Sequence, residues 1–395
     1  MTSVLEPASV SPHPAAELIE QFETTDGSLV HRLFPRRGSL AIACISSVLA
    51  TYVPLLIVAW ATLPSLTERY DAVRLPFLRD WNVMFMFFVT MPALVAYLVD
   101  DHWQLTSAIG RTLREDILAL SPSDTLNVTT EWRNRFRQVN IWGQALGVVI
   151  GVIVAWANYR AYASPRVGHW TMHDGHLTVA GIVFLWAVCL FFALTTFYVI
   201  RSVAVAYFLR SLLKCSTIRV VPFHPDGSGG LRPVGAIGLK NQYLLSIYGL
   251  NVISLAIVST RSLVVPDALF VLMALAAVLY ALIGPVVFLA PLMQFRSGMM
   301  SAKIELMNEV AQRLRAELAR IRVKLPRDEI TKNDEELLER LRKIGAMVDD
   351  MPVWPFDART VRKFLTAYLV PLVGSFGFPL VKMLFGYLSS RFAVH

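Results

Sequence analysis

Six long apolar stretches constrain the fold of this chain more than any other feature. Each is close to the length that a helix needs to cross a bilayer, about 20 residues for a hydrocarbon layer of about 30 Å, where only a helix or a closed barrel satisfies its backbone polar groups. The stretches are residues 39–63, 82–99, 140–157, 177–200, 243–260 and 267–293. The sequence therefore predicts an all-α, polytopic membrane helix bundle with six spans in a lipid bilayer.

The composition excludes an ordinary soluble protein. Hydrophobic residues make up 55% of the 395 residues and charged residues only 17%, fewer charges than soluble domains carry. The net charge is +8, yet segment 297–350, the most polar region, holds 11 Lys/Arg and 11 Asp/Glu. Because the basic excess lies beside the spans and not in one polar patch, we expect no nucleic-acid partner.

Basic residues also set the predicted orientation. With the N-terminus inside the cell, the first three inner segments hold 14 Lys/Arg and the three outer loops hold six. Inner loops of membrane proteins carry the excess of Lys and Arg. We therefore expect the N-terminus and the region 294–360 to lie in the cytoplasm.

The chain divides into four predicted parts. Residues 1–38 are polar and Pro/Ser-bearing and predict a disordered tail that ends in a basic collar. The other predicted parts are a six-span domain at 39–293 with folded cytoplasmic loops at 100–139 and 201–241, a helical hairpin at 294–352, and a Trp-Pro-Phe-Asp motif with a broken apolar segment at 353–395.

The predicted hairpin rests on two apolar seams. From Ile304 to Leu325 apolar residues alternate at spacings of three and four, which is typical of packed helices, and Pro326 ends that helix. A second helix begins near Thr331, where TKND resembles a capping box, and carries its own seam to Val348. Two helices with a short connection predict a cytoplasmic antiparallel hairpin. Its seams either pair within one chain or join chains into a homo-oligomer.

The C-terminal apolar run from 364 to 388 is interrupted by two prolines and two glycines. A straight helix is therefore not expected. The alternatives are a kinked seventh span, a re-entrant hairpin that packs against protein, or a helix that lies in the membrane interface.

A loop between the fourth and fifth spans carries the densest set of candidate site residues. Its glycines allow consecutive amides to form an anion-binding nest, with arginine nearby, so a phosphate, an anionic lipid headgroup or a docking partner could bind. A metal site and a rigid elbow without a ligand are the alternatives. The candidate residues are His224, Asp226, Gly227, Gly229, Gly230 and Arg232.

The same loop reads His-Pro-Asp-x-x-Gly-Gly-Leu from His224 to Leu231. It resembles a signature of bacterial multi-span inner-membrane proteins, a group that brings no established activity with it. The resemblance covers about eight residues and a similar pattern of spans. It implies a bacterial inner (plasma) membrane and assigns no functional residue.

Three histidines, His169, His173 and His176, fall close together in an outer loop. On a helix, His169 and His173 would share one face, as the ligands of a transition metal must. Gly175 argues against a helix that reaches His176. Polar and aromatic packing at the membrane interface is the alternative to a metal or pH-sensing site.

The spans lack central Asp, Glu, Lys and His residues, which disfavours ion-coupled transport. Asn140, Gln144 and Asn251 are polar residues within the spans. They either hydrogen-bond between helices or line a narrow pore in an oligomer.

Three classes of function follow from these features. The first is an oligomeric, channel-like or passive transport protein with an assembly or gating hairpin. The second is a membrane signalling or scaffold protein that binds a partner or anionic lipid at 221–233. The third, favoured least, is an enzyme that acts on lipids through His224 and Asp226. The sequence predicts no cofactor, because it has no phosphate-loop or other cofactor motif.

Overall fold

The computed structural model describes most of the chain. The described residues are 13–25, 28–34, 40–71, 73–163, 168–219, 226, 228–262, 267–324, 331–355 and eight positions between 362 and 373, with several side chains between 259 and 291 left out. Almost every described element is a helix, so the all-α prediction is confirmed.

Ten α-helices follow one another in the described chain. They are α1 Pro14–Glu20, α2 Leu29–Leu33, α3 Leu40–Thr62, α4 Trp81–Phe85, α5 Met91–Arg114, α6 Pro122–Tyr162, α7 Val179–Lys214, α8 Arg232–Ser262, α9 Asp267–Lys324 and α10 Lys332–Asp349. A π-helical turn at Met86–Thr90 joins α4 to α5, so Trp81–Arg114 is helical throughout.

Five of these helical segments are long and apolar enough to cross a membrane. They are Leu40–Thr62, Trp81–Arg114, Pro122–Tyr162, Val179–Lys214 and Arg232–Val258. They contain all or most of the first five predicted spans, and they indicate a membrane protein. The sixth predicted span lies on α9, where many side chains are outside the description, so it stays a prediction.

Two very short strand pairs tie loops together. Strand β1 (Leu118–Ala119) pairs antiparallel with β4 (Thr217–Ile218), which joins the end of α5 to the end of α7. Strands β2 (Met172–His173) and β3 (His176–Leu177) form a hairpin at the opposite end of the bundle.

Helices α6 and α7 form the closest pair in the bundle. A Cβ added at Gly147 or Gly151 would overlap the backbone oxygen of Ala193 or Cys189. Glycine is therefore required where the two backbones meet, as in the small-residue contacts of membrane helices.

The remaining helices pack around this pair. Helix α3 packs on α5 and α7, α8 on α5 and α9, and α1 on α5 and α6. The buried side chains form two clusters, one among the spans and one at the end of the bundle that includes α1. We call this the α1 end.

The described residues 13–25 and 28–34 do not form the disordered tail that the sequence predicted. Ala15, Ile19 and Phe22 are almost fully buried, and Phe22 stacks on Phe208 with 5.2 Å between ring centroids. Ala15 and Ile19, four residues apart, share one face of α1, and Phe22 follows the end of that helix. The averaged composition of the segment hid this short apolar pattern. Residues 1–12 and 35–39 lie outside the described chain, and they include Arg36 and Arg37 of the basic collar at 31–37.

The predicted folded loops are mainly extensions of the spans. Helix α5 continues to Arg114, and α6 begins already at Pro122, with the Ser121 hydroxyl accepting from the Asp124 amide (3.1 Å). Helix α7 runs through to Lys214. The bundle therefore reaches well beyond the apolar spans at the α1 end.

Helix α10 packs antiparallel on the C-terminal half of α9. Gly345 faces Val310, and Lys303 forms an ion pair with Asp349 (3.6 Å). The capping box predicted at Thr331 is confirmed, since Thr331 and Asp334 cap each other's backbone amides. The connection 325–330 is outside the description, so the hairpin as a continuous unit stays a prediction.

Few residues of the predicted broken C-terminal segment are described. Among them, Tyr368 stacks on Tyr280 with 5.5 Å between centroids and donates a hydrogen bond to the Ala281 carbonyl (2.7 Å). This part of the segment therefore packs against α9, while its path stays a prediction.

Candidate functional site: a buried polar cluster at the α1 end

The most highly connected polar group at the α1 end is Arg201, on α7. Its side chain is 2% exposed. Its Nε donates to Asp101 Oδ2 (2.7 Å), and one terminal nitrogen donates to Asn140 Oδ1 (2.9 Å). A buried charge needs a partner charge and satisfied hydrogen bonds, and Arg201 has both.

The same guanidinium holds the N-terminal segment. Arg201 donates to the Thr24 carbonyl (3.1 Å) and to the Thr24 hydroxyl (3.0 Å), while Asn140 Nδ2 also donates to the Thr24 carbonyl (3.2 Å). Thr24 is fully buried. One residue of the N-terminal segment is thus bound by α6 and α7 together.

Two histidines complete the cluster. His102 Nδ1 lies 2.8 Å from the Thr24 hydroxyl. His31, on α2, is also buried, and neither of its ring nitrogens has a hydrogen-bond partner among the described residues. Burial and, secondarily, the charge of Arg201 lower the pKa of His31 to about 3. His31 is therefore neutral in the folded protein near pH 7.

A second ion pair lies on the neighbouring side of α5. Lys240, on α8, pairs with Asp100 (2.7 Å) and sits over the Tyr97 ring, 4.7 Å from its centroid. The Tyr97 hydroxyl donates to the Lys240 carbonyl. Consecutive carboxylates, Asp100 and Asp101, therefore bind cations from two different helices.

The side chains of this cluster bind one another and hold the N-terminal segment in place. Asp100, Asp101 and Arg201 are each committed to a partner side chain, and among the described residues no three His, Cys, Asp or Glu side chains are grouped to hold a metal ion. The geometry thus couples the N-terminal segment to α5, α6 and α7.

Sequence reasoning missed this cluster, although a signal was present. Arg201 is the first charge after the apolar run of α7, and Asp100 and Asp101 are the first charges after that of α5. Because α5 and α7 run in the same direction, the ends of their apolar runs lie at the same membrane depth. Opposite charges at matched depth predict an ion pair.

The loop at 226–232 directs its amides to its own aspartate. Asp226 Oδ1 accepts from the amides of Ser228 (2.8 Å) and Gly230 (3.0 Å), and Oδ2 accepts from Arg232 N (3.2 Å). Gly229 and Gly230 have φ of 62° and 91°. The predicted nest of amides therefore exists, and the carboxylate of Asp226 occupies it.

The loop is also docked rigidly. A Cβ at Gly230 would overlap the Ile117 side chain, which follows α5, and Leu231 is fully buried. The elbow interpretation thus has direct geometric support. His224 and Gly227 lie outside the described residues, and binding of an anion, lipid headgroup or partner at this loop stays a prediction.

The predicted metal histidines lie at the opposite end of the bundle on a β-hairpin and its approach, and not on a helix. His169 is buried, with Nε2 3.1 Å from Asp80 Oδ2 and Nδ1 2.8 Å from the Thr171 hydroxyl. His173 and His176 are cross-strand partners on β2 and β3. Both nitrogens of His169 are thus engaged by protein groups, and a metal site there stays a prediction.

The predicted pore-lining residues lie in different surroundings. Asn140 is fully buried in the Arg201 cluster, and Gln144 is half-buried one turn further along α6. Asn251 lies on α8, which packs on α4, α5 and α9 and not closely on α6. A single chain therefore does not bring these three residues to one described cavity.

One apolar surface outside the spans is left open. On α9, Ile304 and Leu318 are about half exposed and Met307 about a third, while Val310 and Leu306 face the second buried cluster. Part of the predicted apolar seam of α9 is therefore exposed and is not covered by α10. The α10 residues Leu341 and Val348 are buried.

Comparison with known proteins adds no assignment. No family model, no curated protein and no solved structure matches this chain.

Proposed function

We propose that the protein is an oligomeric membrane scaffold, in which α9 and α10 join copies of the chain. The observation that carries this proposal is the exposed apolar edge formed by Ile304, Met307 and Leu318 on an otherwise charged helix. Apolar residues at alternating spacings of three and four pair with a matching helix in coiled coils. Since 297–350 holds equal numbers of acidic and basic residues, two copies meet without net repulsion.

The orientation belongs to the same proposal. Inner loops carry the excess of Lys and Arg, so the α1 end and the α9–α10 pair would lie in the cytoplasm of a bacterial cell, at its inner membrane. There the apolar edge is surrounded by water. Burying it against a second copy would remove that exposure.

A passive conduit between subunits is the second candidate. Its support is a polar seam between α4 and α8, where Ser254 donates to Asn82 Oδ1 (2.9 Å). Asn251 Oδ1, one turn away, has no hydrogen-bond partner among the described residues. A buried carbonyl oxygen without a donor is a site that water or a cation would satisfy.

The mass of the purified protein in detergent tests the scaffold. Light scattering on the wild type should give a discrete oligomer, and the double variant Ile304→Ser/Leu318→Ser should shift it towards the monomer. Val323→Ser is the matched control, because Val323 is 68% exposed on the same helix but off the seam. A monomeric wild type, or equal dissociation by the control, would refute the scaffold.

Ion flux in liposomes tests the conduit. A flux that scales with protein content and falls in Asn251→Leu would support it. Oligomers that conduct no ions would contradict it and leave the scaffold intact.

A further inference from the structure

A groove of about 800 Å³ runs between α6 and α7 on the outer surface of the bundle. The two helices are in closest contact at Gly147 and Gly151, and the groove opens from there towards the α1 end. It passes from the predicted membrane spans into the helical extensions. Its chemistry changes along that path.

The part of the groove nearest the spans is apolar. Leu146 and Ile200 line its deepest end, and Val139 and Val203 follow towards the α1 end. Leu146 and Val203 are 49% and 43% exposed. Exposed apolar walls on spanning helices are the surfaces that contact acyl chains.

Two aromatic side chains line the groove at different levels. Trp142 on α6 is 73% exposed and lies near the end closest to the spans, and Tyr207 on α7 is 58% exposed and lies nearer the α1 end. Tryptophan and tyrosine are enriched at the level of the lipid headgroups. The groove therefore crosses the membrane interface between these two residues.

The far end of the groove is basic. Arg210 and Lys214, one and two turns beyond Tyr207, line it together with Arg135. Arg135 is paired with Glu131 and lies over the Trp132 ring at 5.0 Å. Neither Arg210 nor Lys214 forms an ion pair with a described residue, so their charges are available to an anion.

A donor without a partner lies in the same wall. The buried indole nitrogen of Trp132 has no acceptor among the described residues. Buried N–H groups usually donate a hydrogen bond to an oxygen atom. Phosphate and ester oxygens of a lipid are acceptors of that type.

We propose that this groove is a specific site for one anionic phospholipid. An acyl chain lies along Leu146, Ile200 and Val203, and the phosphate lies between Arg210 and Lys214. Basic pockets between membrane helices on the cytoplasmic side bind anionic headgroups in this way. The change from apolar to basic residues along the groove argues for a lipid and not for a soluble anion, because a soluble anion would leave the apolar half of the groove without a ligand. The site is distinct from the loop at 226–232.

Native mass spectrometry of the full-length protein in detergent tests the site. Phosphatidylglycerol and phosphatidylcholine with the same acyl chains are titrated into the wild type and three variants. Arg210→Gln/Lys214→Gln removes the basic end, and Val203→Trp fills the apolar part. Arg133→Gln/Arg137→Gln is the control, since these exposed arginines lie on α6 but do not line the groove.

The wild type should retain phosphatidylglycerol in preference to phosphatidylcholine. The Arg210/Lys214 variant should lose about tenfold in affinity for phosphatidylglycerol, because each charge near an anionic headgroup contributes to binding. Val203→Trp should weaken both lipids, and the control should resemble the wild type.

Three results would overturn the proposal. They are equal binding of the two lipids by the wild type, equal losses in the control, and displacement of phosphatidylglycerol by glycerol phosphate at the same concentration. The last result would show that the headgroup alone is recognised. The comparison of the two lipids on the wild type needs no variant, so it can refute the proposal even if a variant folds poorly.

Discussion

Replacing Arg201 with methionine should release the N-terminal segment from the bundle. The guanidinium is the only described cation that hydrogen-bonds Thr24, and it donates both to its carbonyl and to its hydroxyl. Methionine keeps much of the volume of the side chain and removes these bonds. Asp101, Asn140 Oδ1 and Thr24 each lose a donor in this variant.

The magnitude follows from the contacts. Removing one partner of a buried ion pair costs about 3–5 kcal/mol, and the 25% exposure of the Asp101 side chain favours the low end, since water can hydrate it. Hydrogen bonds to a charged donor contribute about 1.5–3 kcal/mol each. The two bonds to Thr24 therefore account for about 3 kcal/mol in the attachment of the segment, allowing for the Asn140 bond that remains.

Hydrogen exchange measures this attachment directly. A loss of about 3 kcal/mol corresponds to roughly a hundredfold faster exchange through local opening. We expect that acceleration in the amides of 14–24, measured by mass spectrometry of the protein in detergent. Exchange in the middle of α7 should change much less.

Lys240→Met is the matched control. It breaks the neighbouring Lys240–Asp100 pair, whose side chains are 20% and 13% exposed, without touching Thr24. Unchanged exchange at 14–24 in Arg201→Met would refute the claim that Arg201 holds the N-terminal segment on the bundle. An equal acceleration in both variants would show that any lost ion pair loosens this end.

Three further predictions follow from the same structure. Gly230→Ala should destabilise the protein by more than about 2 kcal/mol, because the new Cβ would overlap the Ile117 side chain at a residue whose φ is 91°. Gly175→Ala should cost only about 1 kcal/mol, because Gly175 has a similar φ of 82° but open space around it. Thermal unfolding in detergent compares the two variants, and equal shifts of the unfolding temperature would contradict the overlap. Lowering the pH should weaken the attachment of α2, because folding lowers the pKa of His31 from the ordinary 6.5 to about 3. The contribution of neutral His31 to stability is complete above pH 6.5 and is lost as the pH falls towards 3. Hydrogen exchange at 29–33 should therefore depend on pH in this range, and His31→Leu should reduce that dependence. Gly151→Val should separate α6 from α7 and abolish the monodisperse protein peak in gel filtration, while Val152→Ala, on the 55% exposed face, should leave it unchanged.

Five long apolar helices were predictable, because a bilayer imposes a length and a polarity that a sequence displays directly. The start of α10 was predictable for a similar reason, since Thr331 and Asp334 satisfy each other's backbone within four residues. Both signals are local. Neither depends on which other helix lies nearby.

The polar cluster and the N-terminal helix depend on distant partners. Ala15, Ile19 and Phe22 are buried in a cluster with side chains of α5, α6 and α7, and Phe22 packs on Phe136 and Phe208. The loop at 226–232 presents another limit, because a glycine pattern that predicts a nest of amides does not show whether the nest binds an external anion or the chain's own carboxylate. In the structure the Asp226 carboxylate accepts from two of these amides, and binding of an external anion stays a prediction.

The contact between Thr24 and Arg201 also constrains the biosynthesis of the protein. The two residues are 177 positions apart. At about 5–20 residues per second, the ribosome makes Arg201 roughly 10–35 s after Thr24. During that interval the N-terminal segment can contact only α5 and α6, because Arg201 on α7 does not yet exist. The bonds from Arg201 therefore wait for synthesis of α7, and a nascent chain arrested before α7 would hold its N-terminal segment by the contacts with α5 and α6 alone.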